Sequence, residues 1–176
     1  MSYYQGQHSV TFIVNTTNYN SWSTWGLIPS VKPVVPQPTP VYKYVDIPGR
    51  DGSLDLSTYL TGALSYTDRK GTFDFYIIPN ADLPSNTSRN IKKSPSSIVA
   101  DIAQRRTAIA SALNGREVKV YLNDENIGNG IQYYYKGRVH LREIQAGQDY
   151  SHIIIEYQFR PYRYYLSNNK EYQGGL

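Results

Sequence analysis

The chain contains no cysteine. This excludes a disulfide framework, a thiolate nucleophile and any thiolate metal site, and leaves the redox compartment open. Charge is also scarce: 18% of residues are charged, and 18 Lys+Arg against 14 Asp+Glu leave a net charge of only +4. So mild a surplus does not argue for nucleic acid, and no sequence-specific nucleic-acid partner is expected. No apolar run approaches the roughly 18 residues of a membrane span, so no membrane partner is expected either. The first residues, MSYYQGQHSV, have no basic stretch leading into an apolar core, so no secretory signal is expected and the sequons at Asn15 and Asn86 are read as accidental. His8, His140 and His152 lack metal-ligand spacing, and there is no G-x-S-x-G, phosphate loop or dinucleotide fingerprint. The expectation is therefore no catalytic residue, no cofactor and no metal.

What is present is tyrosine, 18 residues of it, within an aromatic fraction of 14%. Aromatic and β-branched side chains suit a pleated, half-buried surface, and 176 residues suffice for one good core. Val10, Phe12 and Val14 alternate along a first strand. Beyond a short apolar piece at 22–28, Pro29, Pro33, Pro36, Pro38 and Pro40 punctuate an extended segment. Up to Val45 there is no Asp or Glu, and the only cations are Lys32 and Lys43. An exposed segment of that kind is a pairing hazard on a monomer, so 22–45 is expected to lie against another subunit.

Residues 56–66 form an apolar element whose type the pattern does not settle. Phe73, Phe75 and Ile77 then share one face of a strand, and 80–93 is expected to be a mobile loop. One helix is expected, with Ser94 as N-cap, Pro95 at its first position and Asn114–Gly115 as its stop. Ile98, Ile102, Ile109 and Leu113 form its apolar face, with Asp101, Gln104 and Arg105 elsewhere. Further strands are expected through Val118, Val120 and Leu122, through Tyr133, Tyr135, Val139 and Leu141, and through Ile153, Ile155, Tyr157 and Phe159. An irregularity is expected near Lys136–Gly137, and periodicity fades after Pro161. The tyrosine clusters are read as packing or interface residues rather than as a platform for sugars or bases.

The most specified stretch is 44–56, YVDIPGRDGSLDL. Pro48, Gly49 and Gly52 shape a loop that no regular strand or helix would carry, and it presents Arg50, Asp51 and Asp55. A calcium reading fails, because the EF-hand pattern needs ligands where Ile47 and Gly49 stand and Glu where Thr58 stands. Two readings stay open: a loop held by its own ion pairs, or one whose charges pair with another subunit.

This stretch resembles the DVPGRDGSLDL segment of the distal tail proteins of long-tailed bacteriophages. Other features follow in the same order. They are Arg69 ahead of the Phe73–Phe75 strand, a helix ending at Leu113–Asn114–Gly115, the run Tyr133–Tyr135 with Gly137–Arg138, and the step Pro161–Tyr162. The resemblance covers about 41–165. It implies a mainly β fold with one helix: a β-sandwich with a flanking α-helix and a projecting hairpin or arm. It further implies one ring-forming domain over 1–165 and a short C-terminal tail over 166–176 without a galectin-like domain. As function it implies a structural protein of the virion, assembled in the host cytoplasm into a hexameric ring at the tail tip. The implied partners are the tail tube protein and the baseplate hub or another tail-associated protein, with Pro48, Gly49, Arg50, Asp51, Gly52 and Asp55 as an inter-subunit loop. The competing expectations are a tail-tube or other baseplate subunit, and a carbohydrate-binding β-sandwich module.

Overall fold

Alternation of apolar and polar side chains builds the strands. The computed structural model describes residues 8–59, 61–77, 95–125, 131–143, 149, 151–168 and 170–176. In order these form β1 (Val10–Val14), β2 (Thr17–Asn20), β3 (Leu27–Pro29), β4 (Pro40–Val41), β5 (Tyr44–Asp46), β6 (Ser53–Asp55) and β7 (Ser65–Tyr66). There follow β8 (Arg69–Ile77), α1 (Pro95–Leu113), β9 (Glu117–Leu122), β10 (Tyr133–Leu141), β11 (His152–Phe159), β12 (Tyr164–Ser167) and β13 (Lys170–Gln173). The inward sets are those the sequence predicts: Val10, Phe12 and Val14 on β1, Phe73, Phe75 and Ile77 on β8, Val118, Val120 and Leu122 on β9, and Ile153, Ile155, Tyr157 and Phe159 on β11. Full burial of each large apolar side chain contributes about 1.5–3 kcal/mol.

The main sheet runs β2-β1-β9-β10-β11-β8-β3, with every neighbouring pair antiparallel. Its curvature follows from one contact. β1 and β8 are four strands apart, about 19 Å in a flat sheet, yet the rings of Phe12 and Phe73 are 6.3 Å apart. The sheet therefore curls over its own inner face, and its two halves supply the facing layers expected of a sandwich. Helix α1 joins the same core through Ile102, Ile109, Ala112 and Leu113, with Ile98 partly buried beside them. The class expected from the sequence, mainly β with one flanking helix, is the class the chain forms.

Two close approaches explain two glycines. A Cβ on Gly137 would stand 2.1 Å from the Gln158 carbonyl oxygen. A Cβ on Gly71 would meet the Tyr157 hydroxyl at 2.4 Å. Gly137 also marks the expected irregularity. Before it, Tyr133 and Tyr134 pair with β12, and from it onward β10 pairs with β11.

The structure corrects several local expectations. Trp25, Leu27 and Val35 are buried in this chain's own core, so the 22–45 segment is not a single arm awaiting another subunit. Trp25 stacks on Tyr19 with centroids 5.2 Å apart, and β3 pairs with β8. The proline strip that follows is held through its carbonyl groups, since prolines offer no N–H. Arg69 Nη1 donates to the Pro36 carbonyl oxygen at 2.9 Å, and Tyr157 Oη donates to that of Val34 at 3.1 Å.

On the helix, Asp101 and Arg105, which their spacing sets apart from the apolar set, are little exposed. They form an i,i+4 pair at 2.6 Å with only 12% and 11% of their side chains exposed, and Arg105 also donates to the Trp25 carbonyl oxygen. Arg106 is buried within the apolar stripe, its Nη1 donating to the His152 carbonyl oxygen at 2.6 Å. Pro95 and the left-handed Gly115, at φ +73°, bound the helix as expected. Ser94 and the 80–93 loop lie outside the described residues.

The stretch after Pro161 does not lose its order. β12 and β13 form a hairpin across the left-handed Asn168, straddling the expected boundary at 165. Tyr134 is fully buried on the outer face of β10, next to Tyr121 and Tyr164, and donates its hydroxyl to Glu171 at 2.6 Å. Lys136 and Lys119 close on the same carboxylate at 2.7 and 3.3 Å. These cations, with the Tyr134 hydroxyl, hold Glu171 well below its ordinary 4.5, at about 2.

Candidate assembly interface

Between Thr39 and Thr67 the chain leaves the sheet and returns. At the root, Thr67 donates its backbone N–H to the Thr39 carbonyl oxygen at 2.9 Å, and β4 pairs with β7. Farther out, β5 pairs with β6 in the register Tyr44–Asp55, Val45–Leu54, Asp46–Ser53. These two short ladders make a projecting arm that belongs to neither half of the main sheet. Its root is pinned to the body by an edge-on contact of Tyr66 with Tyr162, centroids 6.2 Å apart.

Five of the six residues of the sequence-predicted loop lie at the arm's tip, and Asp55 lies at the other end of the hairpin. Pro48 and Gly49 are the central residues of a turn closed by the Arg50 N–H on the Ile47 carbonyl oxygen at 3.2 Å. Proline followed by a glycine at φ +81° is what a type II turn requires. Gly52, at φ +78°, turns the chain back into β6. Asp55 sits at the foot of the hairpin, where its Oδ1 accepts the Ser57 N–H at 2.8 Å and the Ser57 hydroxyl at 2.5 Å. That hydroxyl and N–H hold the carboxyl below the usual aspartate range. Ser57 Oγ in turn accepts the Lys43 N–H at 2.8 Å, tying the two sides of the arm.

Of the two readings left open, the self-paired loop is not what forms. Among the described residues, no ion pair joins Arg50 to Asp51 or Asp55. Arg50, Asp51 and Asp46 are exposed, and among the described residues none of them forms an ion pair.

The arm's apolar side chains are exposed as well. Val41, Tyr42, Tyr44, Val45, Ile47 and Tyr59 all stand in solvent, Tyr59 at 78% and Tyr44 at 60% exposure, and Tyr42 stacks on Tyr44 with centroids 6.2 Å apart. An isolated two-stranded hairpin is marginal in water, and large apolar side chains left exposed on it suit an interaction site.

The residue that sequence reasoning underused is Arg69. It resembled a family position, but its role lies in where its guanidinium goes. It is 2% exposed; Nε donates to the Pro161 carbonyl oxygen at 2.7 Å, Nη1 to that of Pro36, and the group lies 5.3 Å from the centre of the Tyr135 ring. One side chain thus fastens the strip leading into the arm to the step leading into the C-terminal hairpin. The signal was present in the sequence, because Arg69 shares the parity of Phe73, Phe75 and Ile77 and must point inward with them.

Among the described residues, no three His, Asp or Glu side chains converge as a metal ion would need, and no helix is long and apolar enough to cross a membrane.

Together these features define a class: a curled antiparallel β domain with one flanking helix and a projecting two-stranded arm. No family model matches the chain, and no curated protein matches it. In fold it resembles the crystal structure of the SPP1 Dit (gp 19.1) protein, described as a paradigm of hub adsorption apparatus in Gram-positive infecting phages. The TM-score is 0.48 and the sequence identity 13%, over 89% of this chain and 52% of that chain. The chain therefore spans about half the length of that protein.

Proposed function

We propose that this chain is a structural subunit of a phage tail that closes into a ring, each copy laying its 39–67 arm on the next. The ring would sit at the tail tip, between the tail tube and the baseplate hub or tail fibre, and six copies is the number that the sequence resemblance implies. The observation that carries the reading is the arm itself: held by its own short ladders, with large apolar side chains exposed, and joined to the body at its root. Cyclic symmetry gives every arm a surface and leaves no copy with an open end.

In this reading Pro48, Gly49 and Gly52 set the shape of the tip. Arg50 and Asp51 fix the register between copies, since interfacial charges select geometry more than they add affinity. Asp55 keeps the hairpin foot closed through Ser57 rather than reaching outward. No catalytic residue is assigned.

Light scattering on the size-fractionated chain tests the proposal, with electron microscopy of the product. Closed rings of wild-type protein are expected. Shortening the arm by joining Val41 to Ser65 through two glycines should leave a folded monomer that makes no ring. Rings from the shortened chain, or a wild-type chain that stays monomeric at high concentration, would overturn the reading.

A further inference from the structure

The outer face of β8, β11 and β10 is not flat. Three depressions of about 610, 320 and 400 Å³ all share Gln158. The first and second also share Asp68, the first and third Lys70, and the second and third Arg138. They make one groove that starts at the arm root, beside Thr39 and Thr67, and crosses the sheet to β10.

Most charges along it are matched. Glu117 pairs with Arg160 at 3.0 Å, Glu156 with Arg142 at 2.5 Å and with His140 at 3.0 Å, and Asp68 accepts the Gln158 amide at 2.6 Å. Two cations remain. Among the described residues Lys70 forms no ion pair, and Arg138, opposite Glu117 in the β9–β10 register, donates to the Gly115 carbonyl oxygen. The groove is a polar cleft in which Lys70 and Arg138 form no ion pair among the described residues and the lining Lys and Arg side chains outnumber the carboxylates. The arm tip exposes two carboxylates, Asp46 and Asp51, beside a single cation, Arg50, and among the described residues none of the three forms an ion pair.

Resting on the ring reading above, we propose that this groove receives the arm tip of a neighbouring copy, with Lys70 and Arg138 taking the carboxylates of Asp46 and Asp51. The reach is adequate. From Pro40 to Pro48 the arm spans nine residues, about 30 Å at about 3.3 Å per residue, whereas crossing from β8 to β10 takes about 10 Å. The contact is head-to-tail: each copy offers a tip and receives one, as a closed ring requires and a two-fold dimer does not.

Charge reversal tests the pairing. Lys70→Glu with Arg138→Glu should raise the concentration needed for ring formation roughly tenfold or more. Adding Asp46→Lys and Asp51→Lys to the same chain should restore rings. Because Arg138 also holds the Gly115 turn, a second measurement guards against misfolding. The chain has no cysteine, so Asp51→Cys with Arg138→Cys introduces the only thiols. On mild oxidation by a disulfide oxidant this double variant should give a covalent ladder up to the full ring, while either single variant stops at dimers.

Wild-type assembly of Lys70→Glu/Arg138→Glu, or a double cysteine variant that stops at dimers although wild-type rings form, overturns the groove assignment alone. A wild-type chain that forms no ring overturns the ring reading, and the groove assignment with it.

Discussion

At the scale of single residues, the chain relies on side chains that reach backbone carbonyl groups across long sequence distances. Arg69 is the clearest case, bonding Pro36 and Pro161 from the buried face of β8. Arg69→Met keeps the bulk but leaves two carbonyl oxygens without their donor, and should cost about 2–4 kcal/mol in a denaturant melt. An unchanged midpoint would show that the strip is held by other means. Gly137→Ala places a methyl group against the Gln158 carbonyl group, and overpacking of that kind should cost about 1–3 kcal/mol. Glu171 supplies a pH dependence. Its folded value near 2 lies below its ordinary 4.5, so the native state binds its proton less readily than the unfolded chain does. The stabilisation is complete above about 4.5 and is lost as pH falls toward 2. Glu171→Gln should therefore flatten the fall in melting temperature across that window, and identical acid limbs for the two proteins would refute the assignment.

At the scale of elements, what was legible was periodicity. The inward sets of β1, β8, β9 and β11 follow from alternation, and α1 from its apolar spacing and its Pro95 and Gly115 boundaries. What was not legible depends on partners far away in sequence. Arg106 breaks the apolar stripe of α1 yet is buried, because the His152 carbonyl group at the start of β11 accepts its N–H. The segment after Pro161 lacks alternation because its tyrosines pack on both faces of a hairpin, with Tyr164 beside Tyr134 and Tyr165 beside Tyr172. The arm's tip was the most readable part of the candidate site, since a Pro-Gly turn is written locally. That its root lies at Thr39 and Thr67, and that Trp25 and Val35 belong to the body, needed the pairing of β3 and β4 with their distant partners. For the helix, Ile109 is fully buried, and Ile109→Ala should cost about 2–5 kcal/mol. Ile102→Asp should cost on the order of 3 kcal/mol by burying an unpaired charge. Thermal melts that match wild type would show that α1 is not docked.

At the scale of the whole molecule, the body and the arm should separate cleanly in their responses to mutation. The body has a continuous core, and among the described residues the arm contributes none to it. Arg50→Ala with Asp51→Ala should thus weaken assembly while leaving the monomer's melting temperature unchanged within error, as light scattering and a thermal melt on the same sample would show. The Arg69 clasp has a mechanical consequence. A pull on the arm enters the body at the Pro36 strip and at β7, and the clasp passes part of it to Pro161 and the C-terminal hairpin through the two Arg69 hydrogen bonds. Tension between neighbours in a strained assembly would therefore run along the rim of each subunit. Under load the hairpin of β12 and β13 would peel strand by strand before the long β8–β11 ladder had to shear.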